Sequence, residues 1–518
     1  MVNQKTADKS KLSRTELGFL ILTATVTITI VSTCSPLYPF NPWDDANCFF
    51  TVGRGILHGL VPYRDLYEQK GPVLYFIYAL AALISEKSFI GAWLVECVMA
   101  SVFAVFSWKT AKLFTEPSKF AMALVPLFLG LTYTTRLFNF GGNAEEICFP
   151  LLTVALYFGF RPIVTGDGLP SNTEALICGI FTAVLFWIKY TFIGFMAGFC
   201  FYILILAVKH KSFARLWSLV WRFIAGFFIL TIPVLIYFLA NGALKYLWEG
   251  YFYNNIFLYH AGKTSSGPSS IPVIRNIYVP LYCTFVLGRS YPKFGVMLLC
   301  SLVSLVSVVI FEKAFRKKIL LFFALTFCLT IGIVFNRNSF IYYYEYILAY
   351  CFSILLIPSI KAVNDIEKVF KQNPIFMQGL LAFLLMVFYA VSLLLSKNTY
   401  LFMQKKDFLA QYRYAEIINQ TPNAKILTYD VMDSGFYTSA GLLPSNRFFC
   451  YLNIESNYPA ILEEQDRLIK EGYFDYIITT FFCENEWDNY ELICEETDPY
   501  VDYTGKSALD GYRLYKRI

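Results

Sequence analysis

Asp44 and Asp45 stand near the start of a polar stretch, NPWDDANCFFTVGRGILHGLVPYRDLYEQKGP at residues 41–72, which also carries Arg54, Arg64, Asp65, Glu68 and Lys70. Apolar runs flank it, Leu17 to Val31 before and Val73 to Ile84 after. A carboxylate beside low-dielectric surroundings favours its protonated form, which suits a general base working near neutral pH. The same aspartates equally suit the start of a helix over ANCFFTVGRGIL. Lys70 precedes Gly71-Pro72. There its ammonium either meets a lipid-borne phosphate as a point charge or snorkels from a helix end. Glu145 and Glu146 follow Gly141-Gly142-Asn143 as a second acidic pair; first-turn carboxylates stabilised by a helix dipole explain such a pair as well as chemistry does. Lys189 and Arg337 are further candidates to hold the same anion. Tyr342, Tyr343, Tyr344 and Glu345 begin an apolar run, where tyrosines suit the aromatic belt of a membrane. His58, His210 and His260 sit in no metal motif, and no GxSxG, Walker loop or dinucleotide fingerprint occurs.

Positioning these groups falls to membrane helices. Hydrophobic residues make up 57% of the 518, and charged residues only 15%, outside the range of a soluble domain. The net charge of +6 is explained by loop lysines and arginines at a membrane surface, and implies no nucleic-acid partner. Thirteen cysteines include no CxxC pair, and most, such as Cys97, Cys178 and Cys351, lie inside apolar runs as small hydrophobes. Cys34 with Cys48, and Cys483 with Cys494, fall in polar segments and are candidates for disulfides on an oxidising side.

Lys5, Lys9, Lys11 and Arg14 place the N-terminus in the cytoplasm, with the first apolar run retained as a span. Basic clusters at alternate turns then support about eleven spans: 17–31, 89–108, 120–134, 147–160, 175–188, 191–208, 217–240, 293–311, 319–335, 340–358 and 376–396. The run at 73–86 is short for a layer of about 30 Å and reads as a re-entrant or in-plane helix on the outer side. Segments 34–72, 136–146 and 241–290 then share the outer face, the last rich in aromatics and asparagine at LKYLWEGYFYNN.

Composition changes near Lys405. Residues 405–518 hold 19 acids and 11 bases. KILTYDV and FDYIITT read as strands, PAILEEQDRLIKEG as a charged helix, and a turn between VDYT and YRLYKRI as a closing hairpin. The expected organisation is a transmembrane domain over 1–400, with a first external loop at 34–88, and a small soluble extracytoplasmic α/β domain over 401–518.

An outer-face Asp after the first span, followed by GRGILHGLVPYRDLYEQKGP, resembles the first external loop of bacterial membrane glycosyltransferases of the GT-C class. It is similar to the branch related to protein O-mannosyltransferases and lipid A aminoarabinose transferases, and GGNAEE resembles that branch's second acidic motif. The hairpin bearing Lys189 has a counterpart there, and the layout matches over roughly residues 15–360. The resemblance implies a GT-C-like polytopic α-helical fold and a polyprenyl-phosphate sugar donor, with a glycan, lipid or protein of the cell envelope as acceptor. It implies Asp45, or its neighbour Asp44, as catalytic base and Lys70 on the donor phosphate, where Lys189 and Arg337 are further candidates. Glu145 or Glu146 would line the acceptor side or a metal, with Asp65 and Glu68 as further acids there. Some relatives hold a divalent metal near these acids. This chain departs from them in carrying Glu68-Gln69 before Lys70 and in having no matching histidine. The competing class is a lipid or polysaccharide transporter, which is expected to carry charges at mid-membrane and inverted repeats. A polymer ligase or a transferase using a diphosphate-linked sugar shares the general layout.

Overall fold

The computed structural model describes residues 10–166, 168–258, 289–311, 316–334, 344–369, 373–402, 404–454, 457–483, 487–497 and 511–518. Arg337, His260, Tyr342, Tyr343 and most of the expected outer segment 241–290 lie outside them.

Helix α1 (Arg14–Val31) begins with a capping box in which Ser13 and Glu16 satisfy each other's backbone N–H groups. After it come α2 (Asp44–Leu57), α3 (Pro72–Ala82), α4 (Ile90–Phe114), α5 (Leu124–Tyr133) and α6 (Ala144–Thr165). They are followed by α7 (Asn172–Lys189), α8 (Ile193–Lys209), α9 (Phe213–Ala240), the single turn α10 (Leu244–Leu247) and a π-helical segment, Trp248–Leu258. The helical region closes with α11 (Pro292–Phe311), α12 (Arg316–Val334), α13 (Tyr346–Val369) and α14 (Pro374–Leu394).

Among the described residues, eight segments are long and apolar enough to cross a membrane: α1, α4, α6, α7 through α8, α9, α11, α13 and α14. The difference from eleven has three sources. The α7–α8 run counts once, although the backbone is extended at Lys189 (φ −154°, ψ 90°) and breaks the helix there. The run Phe120–Tyr133 is too short, and α12, which runs apolar from Ile319 after Arg316-Lys317-Lys318, is not among the eight. Helix α3, with 11 residues, rises about 16 Å and cannot span.

Helix α9 leaves Trp217, Trp221, Phe228, Ile232, Ile236 and Leu239 exposed, and α11 and α14 leave similar apolar faces bare. Surfaces of that extent are stable only against hydrocarbon, so this is a multi-pass membrane protein. Where helices meet, small residues permit close approach. A Cβ on Gly179 of α7 would lie 2.0 Å from the Phe223 carbonyl of α9, and one on Gly226 would lie 2.1 Å from the Leu176 carbonyl.

Beyond residue 404 the chain forms α15 (Ala410–Ile418), β1 (Ile426–Thr428), α16 (Phe436–Ala440), α17 (Ala460–Lys470), β2 (Tyr476–Thr480), β3 (Tyr490–Thr497) and β4 (Gly511–Arg517). The sheet order is β1-β2-β4-β3, parallel between β1 and β2 and antiparallel elsewhere. The strand that pairs with YRLYKRI is YELICEET; residues 498–510, which include VDYT, lie outside the described residues.

Neither expected cysteine pair is joined. Cys34, Cys48, Cys483 and Cys494 are free thiols, and Cys48 Sγ instead faces Cys450 Sγ at 3.8 Å. Burial pushes both of those thiols above the ordinary cysteine pKa.

Candidate active site

Asp44 and Asp45 form the first turn of α2, where the helix dipole favours negative charge. Asp44 Oδ1 accepts from the Ser434 hydroxyl at 2.8 Å. Asp45 Oδ2 lies 3.8 Å from Lys70 Nζ, and both side chains stay partly exposed, at 14% and 17%. This is an ion pair, longer than a hydrogen bond.

The Lys70 backbone is pinned from both sides. Its N–H donates to Glu68 Oε2 at 2.7 Å, and its carbonyl accepts from Tyr63 OH at 2.5 Å and Tyr75 OH at 3.0 Å. Tyr75 OH also donates to Glu68, which is buried. The preceding carbonyl, of Gln69, accepts from Asn255 Nδ2 at 2.7 Å. Asn254 Nδ2 donates to Tyr67 OH at 2.6 Å, so the π-helical segment backs the whole approach to Lys70. Asp65 accepts from the Val61 N–H at 2.7 Å and pairs with Arg64 at 2.7 Å, contacts that keep its carboxyl below the usual range and close the turn before Leu66.

Gly71 joins this segment to the α7–α8 break. Its N–H donates to the Ile188 carbonyl at 3.0 Å, and a Cβ there would sit 1.9 Å from the Trp187 carbonyl oxygen. Lys70 and Lys189 therefore flank a single backbone hydrogen bond, close enough for their ammonium groups to repel. Lys189 pairs with Glu145, which is 1% exposed.

Glu146 faces the other way. Its carboxylate accepts from the N–H groups of Gly142 (3.2 Å) and Asn143 (3.3 Å), capping α6. Gly142 N–H also donates to Glu96 of α4 at 2.5 Å, and the Ser32 hydroxyl donates to the same carboxylate at 2.6 Å. Glu96 and Glu146 border a small pocket of about 20 Å³ between α3, α4 and α6.

The structure thus brings Asp45, Lys70, Lys189 and Glu145 to one region, sets Glu68 and Asp65 into the frame behind Lys70, and turns Glu146 toward Glu96. Arg337 lies outside the described residues. Two acids that the sequence did not single out as site residues join the group. Glu96 lies within an apolar run, and a lone acid in a span is itself a signal of function. Glu345 was read only as part of a span's beginning; it is fully buried, with Glu145, Lys189 and Glu96 as its charged neighbours.

Among the described residues no three His, Cys, Asp or Glu side chains gather as ligands would. Asp44 is engaged by Ser434, Asp45 by Lys70 and Glu145 by Lys189.

Residues beyond 404 close over α2. Thr51 Oγ1 donates to Asp433 Oδ2 at 2.5 Å, Arg54 Nη1 to the Tyr437 carbonyl at 3.3 Å, and Tyr67 N–H to the Arg447 carbonyl at 2.8 Å. Burial pushes the Asp433 carboxyl up to about 6, against the opposing pull of Thr51, the Gly435 N–H and Arg54.

Fold and site together define a multi-pass membrane protein with paired carboxylates and ammonium groups gathered where short helices and loops meet. No family model matches the chain, and no curated protein matches it. The crystal structure of ArnT from Cupriavidus metallidurans bound to undecaprenyl phosphate aligns over 96% of this chain and 97% of that one, with 10% identity and a TM-score of 0.47. A likeness of that size carries no argument.

Proposed function

We propose that the protein is a GT-C-like glycosyltransferase moving a sugar from a polyprenyl-phosphate donor to a hydroxyl of an envelope glycan, lipid or protein. The observation that supports this is the Asp45–Lys70 pair, 3.8 Å apart, partly exposed, with Lys189 beside it. A base and a cluster of cations side by side are what transfer from a phosphate leaving group requires. The first-loop resemblance points the same way.

In the reaction, Asp45 takes the proton of the acceptor hydroxyl as its oxygen bonds to the anomeric carbon. The bond from that carbon to the phosphate oxygen breaks, and polyprenyl phosphate leaves with the electron pair. Lys70 and Lys189, and Arg337 from outside the described residues, balance its charge. A single displacement inverts the anomeric centre. The basic inner turns support a reaction on the non-cytoplasmic face, with the donor reaching it sideways from the outer leaflet.

The test incubates purified protein with a panel of polyprenyl-phosphate sugars and measures released polyprenyl phosphate, wild type against Asp45→Asn. Turnover with one donor, abolished in Asp45→Asn at unchanged melting temperature, is expected. Equal turnover by the variant moves the base elsewhere, and a product of retained configuration overturns the single displacement.

A further inference from the structure

Glu345 stands immediately before α13, fully buried, with a hydrogen-bond partner on neither carboxylate oxygen among the described residues. An ionised carboxylate in that state is strongly disfavoured, because burial strips its water without replacing it. Its surroundings offer little relief. Lys189, the nearby cation, is already paired with Glu145. The amide of Asn143 eases its charge from beside it, while Asn143 Nδ2 also donates to the Phe138 carbonyl at 3.1 Å. By contrast, the other candidate acids are each satisfied: Glu68 by the Lys70 N–H and Tyr75, Glu146 by two backbone N–H groups, Glu96 by Ser32 and Gly142. Glu345 stands apart from them as an acceptor with both oxygens open, held beside the lysine assigned above to the donor phosphate.

That position has chemical meaning, because in a polyprenyl-phosphate sugar the ring is bonded directly to the phosphate. A side chain next to a phosphate-holding ammonium therefore faces the sugar's first hydroxyl groups, each a donor matched to an unsatisfied carboxylate. We propose that Glu345 is a sugar-recognition residue, accepting hydrogen bonds from hydroxyls of the donor sugar beside the Lys189–Glu145 pair. This rests on the functional reading above and deepens it by assigning the group that reads the sugar rather than the lipid phosphate.

The experiment measures binding to purified protein in nanodiscs of two probes: polyprenyl phosphate alone, and the polyprenyl-phosphate sugar that the wild type turns over. For Glu345→Ala we expect affinity for the sugar-linked lipid to fall about tenfold or more, since a polar acceptor is lost, while affinity for polyprenyl phosphate changes less than about twofold. Glu345→Gln keeps one acceptor oxygen and should fall between. Binding of polyprenyl phosphate serves as the folding control in both variants. An equal loss for both probes assigns Glu345 to structure and overturns the inference, as does an unchanged affinity for the sugar-linked lipid. A wild type that binds neither probe removes the transferase reading itself, a result distinct from either of those.

Discussion

Asp433 carries a prediction that does not depend on catalysis. Burial lifts its carboxyl from an ordinary 3.8 to about 6, so ionisation is harder in the folded protein than in the unfolded chain. Below about pH 4 both states hold the proton and nothing is lost. As pH rises toward 6 the unfolded state sheds its proton first, and this residue subtracts up to about 3 kcal/mol of stability, levelling off above that pH. Asp433→Asn removes the penalty while keeping an oxygen for the Gly435 N–H. Its melting temperature relative to wild type should climb between pH 4 and pH 7; a constant difference across that range would show that Asp433 titrates normally. At this scale legibility follows local contrast. Asp45, Lys70, Glu145 and Lys189 are charges standing out among apolar neighbours, whereas Glu96 in WLVECVMAS barely perturbs an apolar run and Glu345 is masked by the tyrosines around it. Asp433 and Ser434 have no local signal, because their partners Thr51 and Asp44 are distant in the chain.

Element geometry around Lys70 rests on one glycine. The strand of chain entering α3 passes so near the end of α7 that any side chain at position 71 meets the Trp187 carbonyl. Gly71→Ala should part the two, breaking the Gly71–Ile188 hydrogen bond and moving Lys70 away from Lys189. We expect a loss of stability of about 3 kcal/mol and at least a tenfold loss of transfer. Thermal unfolding and turnover check both; wild-type turnover would mean the spacing of the two lysines is immaterial. The brevity of α3 was readable from its length, since 11 residues cannot span. The break at Lys189 was readable as a polar pair between apolar runs. The role of Asn254 and Asn255 was not, because their hydrogen bonds run to Tyr67 and Gln69, and nothing within LKYLWEGYFYNN specifies those partners.

On the scale of the whole molecule, residues beyond 404 belong to the site's support. The shift to acidic composition and the strand patterns of KILTYDV and FDYIITT revealed a sheet, while its contacts with α2 were invisible to any local pattern. Removing residues 405–518 uncovers Thr51 and Arg54 and takes Ser434 from Asp44. The shortened protein should insert in the membrane yet lose transfer and unfold at lower temperature. An active shortened protein would reduce this region to an accessory. The contact between α2 and Asp433-Ser434 also bears on biosynthesis. At ribosomal rates of about 5–20 residues per second, tens of seconds separate the emergence of Asp45 from that of its cover. Throughout that interval the nascent chain threads its helices into the bilayer with Asp44 lacking Ser434 and Thr51 lacking Asp433, so this corner of the molecule is completed only as translation finishes.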